Sequence, residues 1–103
     1  MKEYNIPYLK YHTHIYQYGK LDNKHPVVIL LHGGPGGNTR LIKPLTDLSK
    51  HGFTVITYDQ LGSLKSSSIK GQKELFKVST FVNELDNAIN KLNIKRFHLL
   101  GHS

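Results

Sequence analysis

The stretch that decides the fold is residues 26–37, which read PVVILLHGGPGG. Its first part is a continuous apolar and β-branched run, which is typical of a strand that is covered on both faces in a parallel sheet. The glycine-rich part that follows ends the strand abruptly, because glycine and proline favour turns. A central buried strand followed by a tight loop is therefore predicted here.

A helix is predicted after this loop, because leucines recur at intervals of four and three residues, at Leu41, Leu45 and Leu48. Proline is tolerated only in the first turn of a helix, so Pro44 places the start of the regular helix near Lys43. Gly52 is a fitting residue to end it. A second strand of the buried type is predicted at residues 53–58.

The clearest helical pattern lies between Ser79 and Asn93. Its expected apolar stripe comprises Phe81, Val82, Leu85, Ala88, Ile89 and Leu92. The residues expected off this stripe are Glu84, Asp86, Asn87 and Lys91. Ser79 or Thr80 is expected to cap the start of the helix, and Asn93 to end it. A polar loop is predicted before this helix, at residues 59–72, and a third short strand after it, at residues 97–100.

The segment before the central strand has a different pattern. Residues 4–19 are rich in tyrosine and alternate in polarity, which predicts one or two antiparallel strands. Strands that alternate with helices indicate a mostly parallel sheet. The predicted class is therefore α/β, with antiparallel N-terminal strands and two crossover helices. The helices are expected on opposite faces of the sheet if the strand order reverses between them.

Composition narrows the class of protein. The chain has 103 residues, 38% of them apolar, which is enough for one compact domain with a modest core. It contains no cysteine, so disulfides, thiolate nucleophiles and Cys-zinc sites are excluded. No apolar run approaches the roughly 20 residues of a membrane span, and no signal peptide is visible, so a cytoplasmic location is expected. The net charge is +7, but the densest lysine group (Lys65, Lys70, Lys73 and Lys77) belongs to no nucleic-acid-binding module, so a solvated basic face is expected.

Two glycine-containing motifs point to nucleophilic catalysis. Residues 101–103 read GHS directly after a predicted strand, and Gly-x-Ser is the first half of the nucleophile elbow Gly-x-Ser-x-Gly. Small neighbours let the backbone turn sharply there and expose the serine hydroxyl. Residues 32–36, HGGPG, follow the central strand, where a glycine-rich loop can present a backbone N–H to a developing oxyanion. Taken alone, either motif also fits a simple strand-to-helix turn.

Together, the motifs HGGPG (32–36), YDQLGS (58–63) and FHLLGHS (97–103) resemble the proline iminopeptidase family of the α/β-hydrolase superfamily. The resemblance runs from about Pro26 to the end of the sequence. It implies that Ser103 is the nucleophile and that the Gly34 amide is an oxyanion donor, in a loop formed with His32, Gly33, Pro35 and Gly36. It also implies a cis Gly34–Pro35 bond, a short peptide substrate with an N-terminal proline or other small or apolar residue, and no metal or other cofactor.

The sequence departs from this family in two respects. Leu64 stands where the family usually has glycine, and Lys65 where Arg or Asn is common, so Leu64 is strained if its position needs a positive φ. The triad acid and histidine follow the serine in α/β-hydrolases, and so lie beyond Ser103. We therefore expect residues 1–103 to be the N-terminal portion of a single α/β-hydrolase domain, without its cap and C-terminal half. This portion is expected to be inactive alone, and to self-associate through an unpaired sheet edge.

Several alternatives stay open at this point. An esterase or amidase of the same fold, or a non-catalytic fragment, competes with the peptidase interpretation. His102 or His32 as a substitute general base is disfavoured, because His102 neighbours the serine and the family uses the position of His32 structurally. His12 and His14 share a strand face and could bind a metal. The sequence indicates no third ligand, so exposed strand histidines are favoured over a zinc site.

A dinucleotide site would use Gly34 and Gly36, with Asp59 in the ribose-binding position. Thr39 stands where that fingerprint needs a third glycine or alanine, and no Gly-Lys-Ser/Thr follows the loop as a P-loop requires.

Overall fold

The computed structural model describes residues 1–34 and 39–101, apart from the side chain of Leu41. Five strands alternate with helical segments in the order β1 (Lys2–Tyr8), β2 (Tyr11–Tyr18), β3 (Val27–Leu31), a 3₁₀ helix (Thr39–His51), β4 (Thr54–Asp59), a short 3₁₀ turn (Lys73–Leu75), α1 (Val78–Lys91) and β5 (His98–Gly101). Each predicted strand is therefore present, and residues 4–19 supply two strands.

The strands form one mixed sheet with the order β1-β2-β4-β3-β5. The pairs β1–β2 and β2–β4 are antiparallel, whereas β3 is parallel to both β4 and β5. The predicted fold class is confirmed. The chain crosses from β3 to β4 on one side of β3 and then returns to β5 on the other, so the strand order reverses at β3.

The reversal places the two crossover helices on opposite faces, as expected. Alternate residues of β3 point to opposite faces of the sheet. Val27 and Ile29 pack with Ala88 of α1, whereas Val28 and Leu30 pack with Ile42 of the 3₁₀ helix. All six residues of β4 are buried, and so are the first four of β3, which explains the apolar sequence of β3 and the β-branched residues at the start of β4.

The first crossover helix differs from its prediction. It runs from Thr39 to His51 in 3₁₀ geometry with Pro44 in its interior, rather than as a regular helix from Lys43. Proline has no N–H and crowds the preceding turn, which opposes α-helical pairing here. Gly52 follows this helix with φ +87°, in agreement with its predicted role as a terminator.

The second crossover helix corrects three expectations. It begins at Val78 with Lys77 as the N-cap and no side-chain cap, so neither Ser79 nor Thr80 caps it. Val82, expected on the buried stripe, is 56% exposed, whereas Glu84, expected off it, is fully buried. The helix packs against the 59–72 loop as well as the sheet, and this turns Glu84 inward. Asn93 lies just beyond the C-cap with φ +56°, as predicted for the residue that ends the helix.

The 59–72 loop is polar in sequence but is packed rather than solvated. Leu61 and Ile69 are buried in a cluster with Tyr8 of β1, and Ser63 and Ser66 are buried as well. The Ser67 and Ser66 hydroxyls accept hydrogen bonds from the backbone N–H groups of His12 and His14, so the loop continues the pairing of β2 beyond the end of β4.

The edge of the sheet formed by β5 is open. All four residues of β5 are exposed, including Leu99 (50%) and Leu100 (44%), although their partners Ile29 and Leu30 in β3 are buried. Within residues 1–34 and 39–101, no helix has the length and apolar character needed to cross a membrane.

Candidate active site

The carboxyl ends of the three parallel strands meet at one edge of the sheet. Leu31, the last residue of β3, is the register partner of Gly101, the last residue of β5. Gln60 follows directly after β4 on the other side of β3. Ligands of open α/β sheets bind outside the carboxyl ends of the strands where the strand order reverses, and this edge meets that condition.

The predicted oxyanion loop begins at this edge. His32 is buried, Gly33 is half-buried and Gly34 is exposed. Gly34 has φ +148°, a conformation that side-chain-bearing residues rarely adopt, so glycine is required at this position. Pro35 and Gly36, and with them the Gly34–Pro35 bond, lie outside the described residues. So do His102 and Ser103.

Both ring nitrogens of His32 are engaged by the protein. Its Nδ1 lies 2.7 Å from the carbonyl oxygen of Gly33, and its Nε2 accepts the backbone N–H of Gln60 at 2.9 Å. These partners set the proton on Nδ1. The side-chain amide of Gln60 also donates to the His32 carbonyl at 2.8 Å. His32 therefore locks the β3 loop to the β4 loop and has no free nitrogen to serve as a general base.

An apolar cavity of about 650 Å³ opens beside this loop. His32, Gly33 and Gly34 line one side, and Gly101 lines it at the end of β5. Its other walls are mostly apolar side chains of β4 and α1, including Tyr58, Phe81, Val82 and Leu85. Lys77 is the one charged residue among the described lining residues.

Asp59, the last residue of β4, is buried and accepts hydrogen bonds from three other segments of the chain. Its carboxylate accepts the Tyr16 hydroxyl at 2.7 Å, the Thr39 hydroxyl at 3.1 Å and the Lys65 backbone N–H at 3.2 Å. Burial and the bond to Asp59 raise the pKa of Tyr16. Asp59 is fully buried with protein donors around it, so it is not placed to bind a ribose, as the dinucleotide alternative required.

Glu84 is a second buried carboxylate, and the sequence interpretation missed it. Its two oxygens lie 2.9 and 3.0 Å from the backbone nitrogen of Leu61, and Oε2 also accepts the Thr13 hydroxyl at 2.6 Å. Burial raises its pKa, against the lowering effect of these donors. The available signal was spacing, because Glu84 lies three residues after Phe81 and four before Ala88, on the same face of the helix.

The 63–65 turn contains a residue in the left-handed backbone region. Leu64 has φ +34°, so the position does need the left-handed backbone that its sequence departure suggested.

His12 contacts the Ser67 hydroxyl and the Lys65 carbonyl oxygen, and His14 contacts Asn5 and Glu3. No cluster of three metal-ligating side chains occurs among the residues that the structure describes.

Comparison with known proteins identifies the family. A family model described as alpha/beta hydrolase fold matches residues 26–103. The chain belongs to the alpha/beta hydrolase family. This match begins one residue before β3 and covers the parallel part of the sheet and both crossover helices.

Individual alpha/beta hydrolases resemble the chain over nearly all of its length. It is 38% identical over 102 residues to a proline iminopeptidase of Lactobacillus helveticus, covering 98% of this chain and 34% of that protein. A proline iminopeptidase of Clostridium botulinum is 34% identical over 98 residues, covering 95% and 33%. The chain therefore spans about a third of the length of these curated relatives.

Solved structures give the same result. The crystal structure of VinJ matches with a TM-score of 0.93 and 35% identity, covering 99% of this chain and 35% of VinJ. A proline iminopeptidase structure from Mycobacterium smegmatis matches with a TM-score of 0.88 and 27% identity, covering 98% and 35%. An epoxide hydrolase of Vigna radiata, 18% identical with a TM-score of 0.84 and coverage of 99% and 32%, shares the fold.

Proposed function

We propose that this sequence forms the nucleophile-bearing N-terminal portion of a serine aminopeptidase that releases N-terminal proline, or another small or apolar residue, from short peptides. The observation that carries the proposal is the register of β3 and β5. Leu31 pairs with Gly101, so the glycine loop begins beside the end of the strand that leads to Ser103. The similarity to proline iminopeptidases supports the reaction class.

In the proposed reaction, the Ser103 hydroxyl attacks the carbonyl carbon of the first peptide residue. A general base takes the hydroxyl proton and later delivers it to the leaving amine. The Gly34 N–H holds the oxyanion as it forms, a contact that can be worth several kcal/mol. Water then hydrolyses the acyl-enzyme. His32 is unsuited to act as the base, because both its ring nitrogens are engaged. The base is therefore proposed to come from residues outside the 1–103 sequence.

The cavity supports an apolar first residue. Its walls of Tyr58, Phe81, Val82 and Leu85 favour a proline ring over a charged side chain. No carboxylate occurs among its described lining residues, so nothing there pairs with the free amine of the peptide. We propose that the amine is also recognised by residues outside the 1–103 sequence.

An esterase or amidase of the same fold is the second candidate, and the same cavity favours it, since an ester needs no partner for an amine. The full polypeptide that carries this sequence in its host separates the two. We expect it to cleave a chromogenic proline amide faster than an acetate ester. Ser103→Ala is expected to abolish cleavage, and Ser68→Ala, at an exposed serine, to leave it unchanged. Faster cleavage of the ester would favour the esterase. Equal activity in the Ser103→Ala variant would refute both.

The 103-residue chain on its own is expected to show no turnover. Its intact mass, measured in material from the native host, tests this premise. A species well above 11.7 kDa would supply the missing partners of Ser103, and the peptidase proposal would apply to it. Turnover by the 103-residue chain that disappears with Ser103→Ala would contradict the expectation.

A further inference from the structure

Glu84 joins three segments that are distant in sequence. It lies on α1, its Oε2 accepts the Thr13 hydroxyl of β2, and both of its oxygens accept the N–H of Leu61 after β4. It has no exposure to solvent. A buried carboxylate is expensive in free energy, and an apolar side chain of similar volume often serves stability as well or better. Its presence therefore needs a reason beyond filling space.

The next residues along the chain supply that reason. Leu61 directly follows Gln60, which holds His32 twice, through its backbone N–H to Nε2 and through its side-chain amide to the carbonyl oxygen. His32 in turn contacts the carbonyl oxygen of Gly33 through Nδ1. The Gly33–Gly34 peptide contains the Gly34 N–H. An unbroken path of hydrogen bonds and adjacent peptides thus runs from Glu84 to the proposed oxyanion donor.

We propose that Glu84 is a positioning residue, which fixes Leu61 and thereby holds the Gln60–His32 lock that aims the Gly34 amide. Its significance for catalysis rests on the function proposed above, whereas its effect on His32 does not. The Thr13 hydroxyl plays a supporting part, because it holds Oε2 from the β2 side and leaves both oxygens facing Leu61.

The first test uses the 103-residue chain and a variant that keeps the volume of the side chain. In Glu84→Leu, we expect the Leu61 amide to exchange with solvent ~10-fold faster or more, because its acceptor is gone. We also expect the His32 ring nitrogen signals to change from one tautomer, protonated at Nδ1, to a mixture. Ala88→Gly, on the same helix and in the core, is the matched control. It destabilises α1 without touching Leu61, and is expected to keep the single tautomer.

A second variant, Glu84→Gln, keeps the proposal testable if Glu84→Leu does not fold. Glu84→Gln keeps one acceptor for Leu61 but presents an NH₂ group to the Thr13 hydroxyl, so it is expected to fall between the wild type and Glu84→Leu. If Glu84→Leu does not fold, a His32 tautomer mixture in Glu84→Gln supports the proposal. Wild-type Leu61 exchange and His32 signals in either folded variant overturn it. Changes of equal size in Ala88→Gly also overturn it, because they would trace to stability alone.

The catalytic consequence is tested in the full polypeptide. Misplacing an oxyanion donor lowers kcat more than it changes substrate binding, so Glu84→Gln is expected to reduce kcat ~10-fold or more with KM nearly unchanged. Ala88→Gly is expected to leave kcat unchanged at a temperature where both variants are folded. If the polypeptide has no peptidase activity, the proposed function fails, and the Leu61 and His32 measurements still decide the role of Glu84. Altered His32 signals with unchanged kcat would refute the catalytic role.

Discussion

The hydrogen bond between Tyr16 and Asp59 leads to a quantitative prediction about stability. The Tyr16 hydroxyl donates to the fully buried Asp59 carboxylate at 2.7 Å, and the carboxylate ties β2, the 3₁₀ helix and the 63–65 turn together. A hydrogen bond to a charged group is worth about 1.5–3 kcal/mol, and Tyr16→Phe removes only that hydroxyl. A loss of about 2 kcal/mol would lower the ratio of folded to unfolded chain about 30-fold.

Urea unfolding of Tyr16→Phe, followed by circular dichroism, measures this loss. Tyr18→Phe is the matched control, because Tyr18 lies on the same face of β2 as Tyr16 and is also half-buried. Among the described residues, no hydrogen bond is seen for its hydroxyl. Its free energy of unfolding is expected to stay within about 0.5 kcal/mol of the wild type. Equal losses in the two variants would refute the view that Asp59 depends on the Tyr16 hydroxyl.

Three further predictions concern Glu84, Leu99 and Ile29. Because burial raises the pKa of Glu84 above its usual 4.5, its contribution to stability is present below that pH and is lost as the pH rises through the raised value. Unfolding free energies measured from pH 4 to 8 should therefore fall more steeply in the wild type than in Glu84→Gln, and parallel curves would contradict this. We propose that a second copy of the chain pairs with the open edge of β5, so sedimentation should show self-association that Leu99→Lys weakens, and a monodisperse wild-type monomer would rule it out. Ile29→Ala should lower the free energy of unfolding in urea by about 2–5 kcal/mol, because it leaves a cavity beneath α1. Leu45→Ala, at a residue that is 39% exposed, should lower it by well under about 1 kcal/mol. Similar losses at both sites would contradict the assigned core.

The strands were within reach of sequence because each pattern has one dominant cause, whereas their order in the sheet was not predicted. Residues 27–31 are apolar throughout, and residues 54–58 are rich in β-branched side chains, because both faces of the sheet are covered there. Residues 4–19 alternate because they lie toward the antiparallel edge of the sheet. The glycine loop after β3 was predictable for a local reason, since Gly34 adopts a φ that excludes other residues.

The buried polar groups were not predictable in this way. A charged residue is normally assigned to the solvated face of a helix, and Glu84 is an exception because its partners come from segments 23 and 71 residues away. The 59–72 loop is predicted as polar, but its packing is not predicted, since only the folded chain brings Tyr8 against Leu61 and Ile69. Long-range pairing of this kind leaves little local signal.

The most direct test of the central claim is whether Ser103 is an activated nucleophile. The full polypeptide that carries this sequence is treated with a fluorophosphonate, digested, and mapped by mass spectrometry. We expect the label on the peptide that contains Ser103, its loss in Ser103→Ala, and protection by a proline amide substrate. A wild-type polypeptide that hydrolyses the proline amide while Ser103 stays unlabelled, or a Ser103→Ala variant that keeps its activity, would contradict the assignment of this serine as the nucleophile.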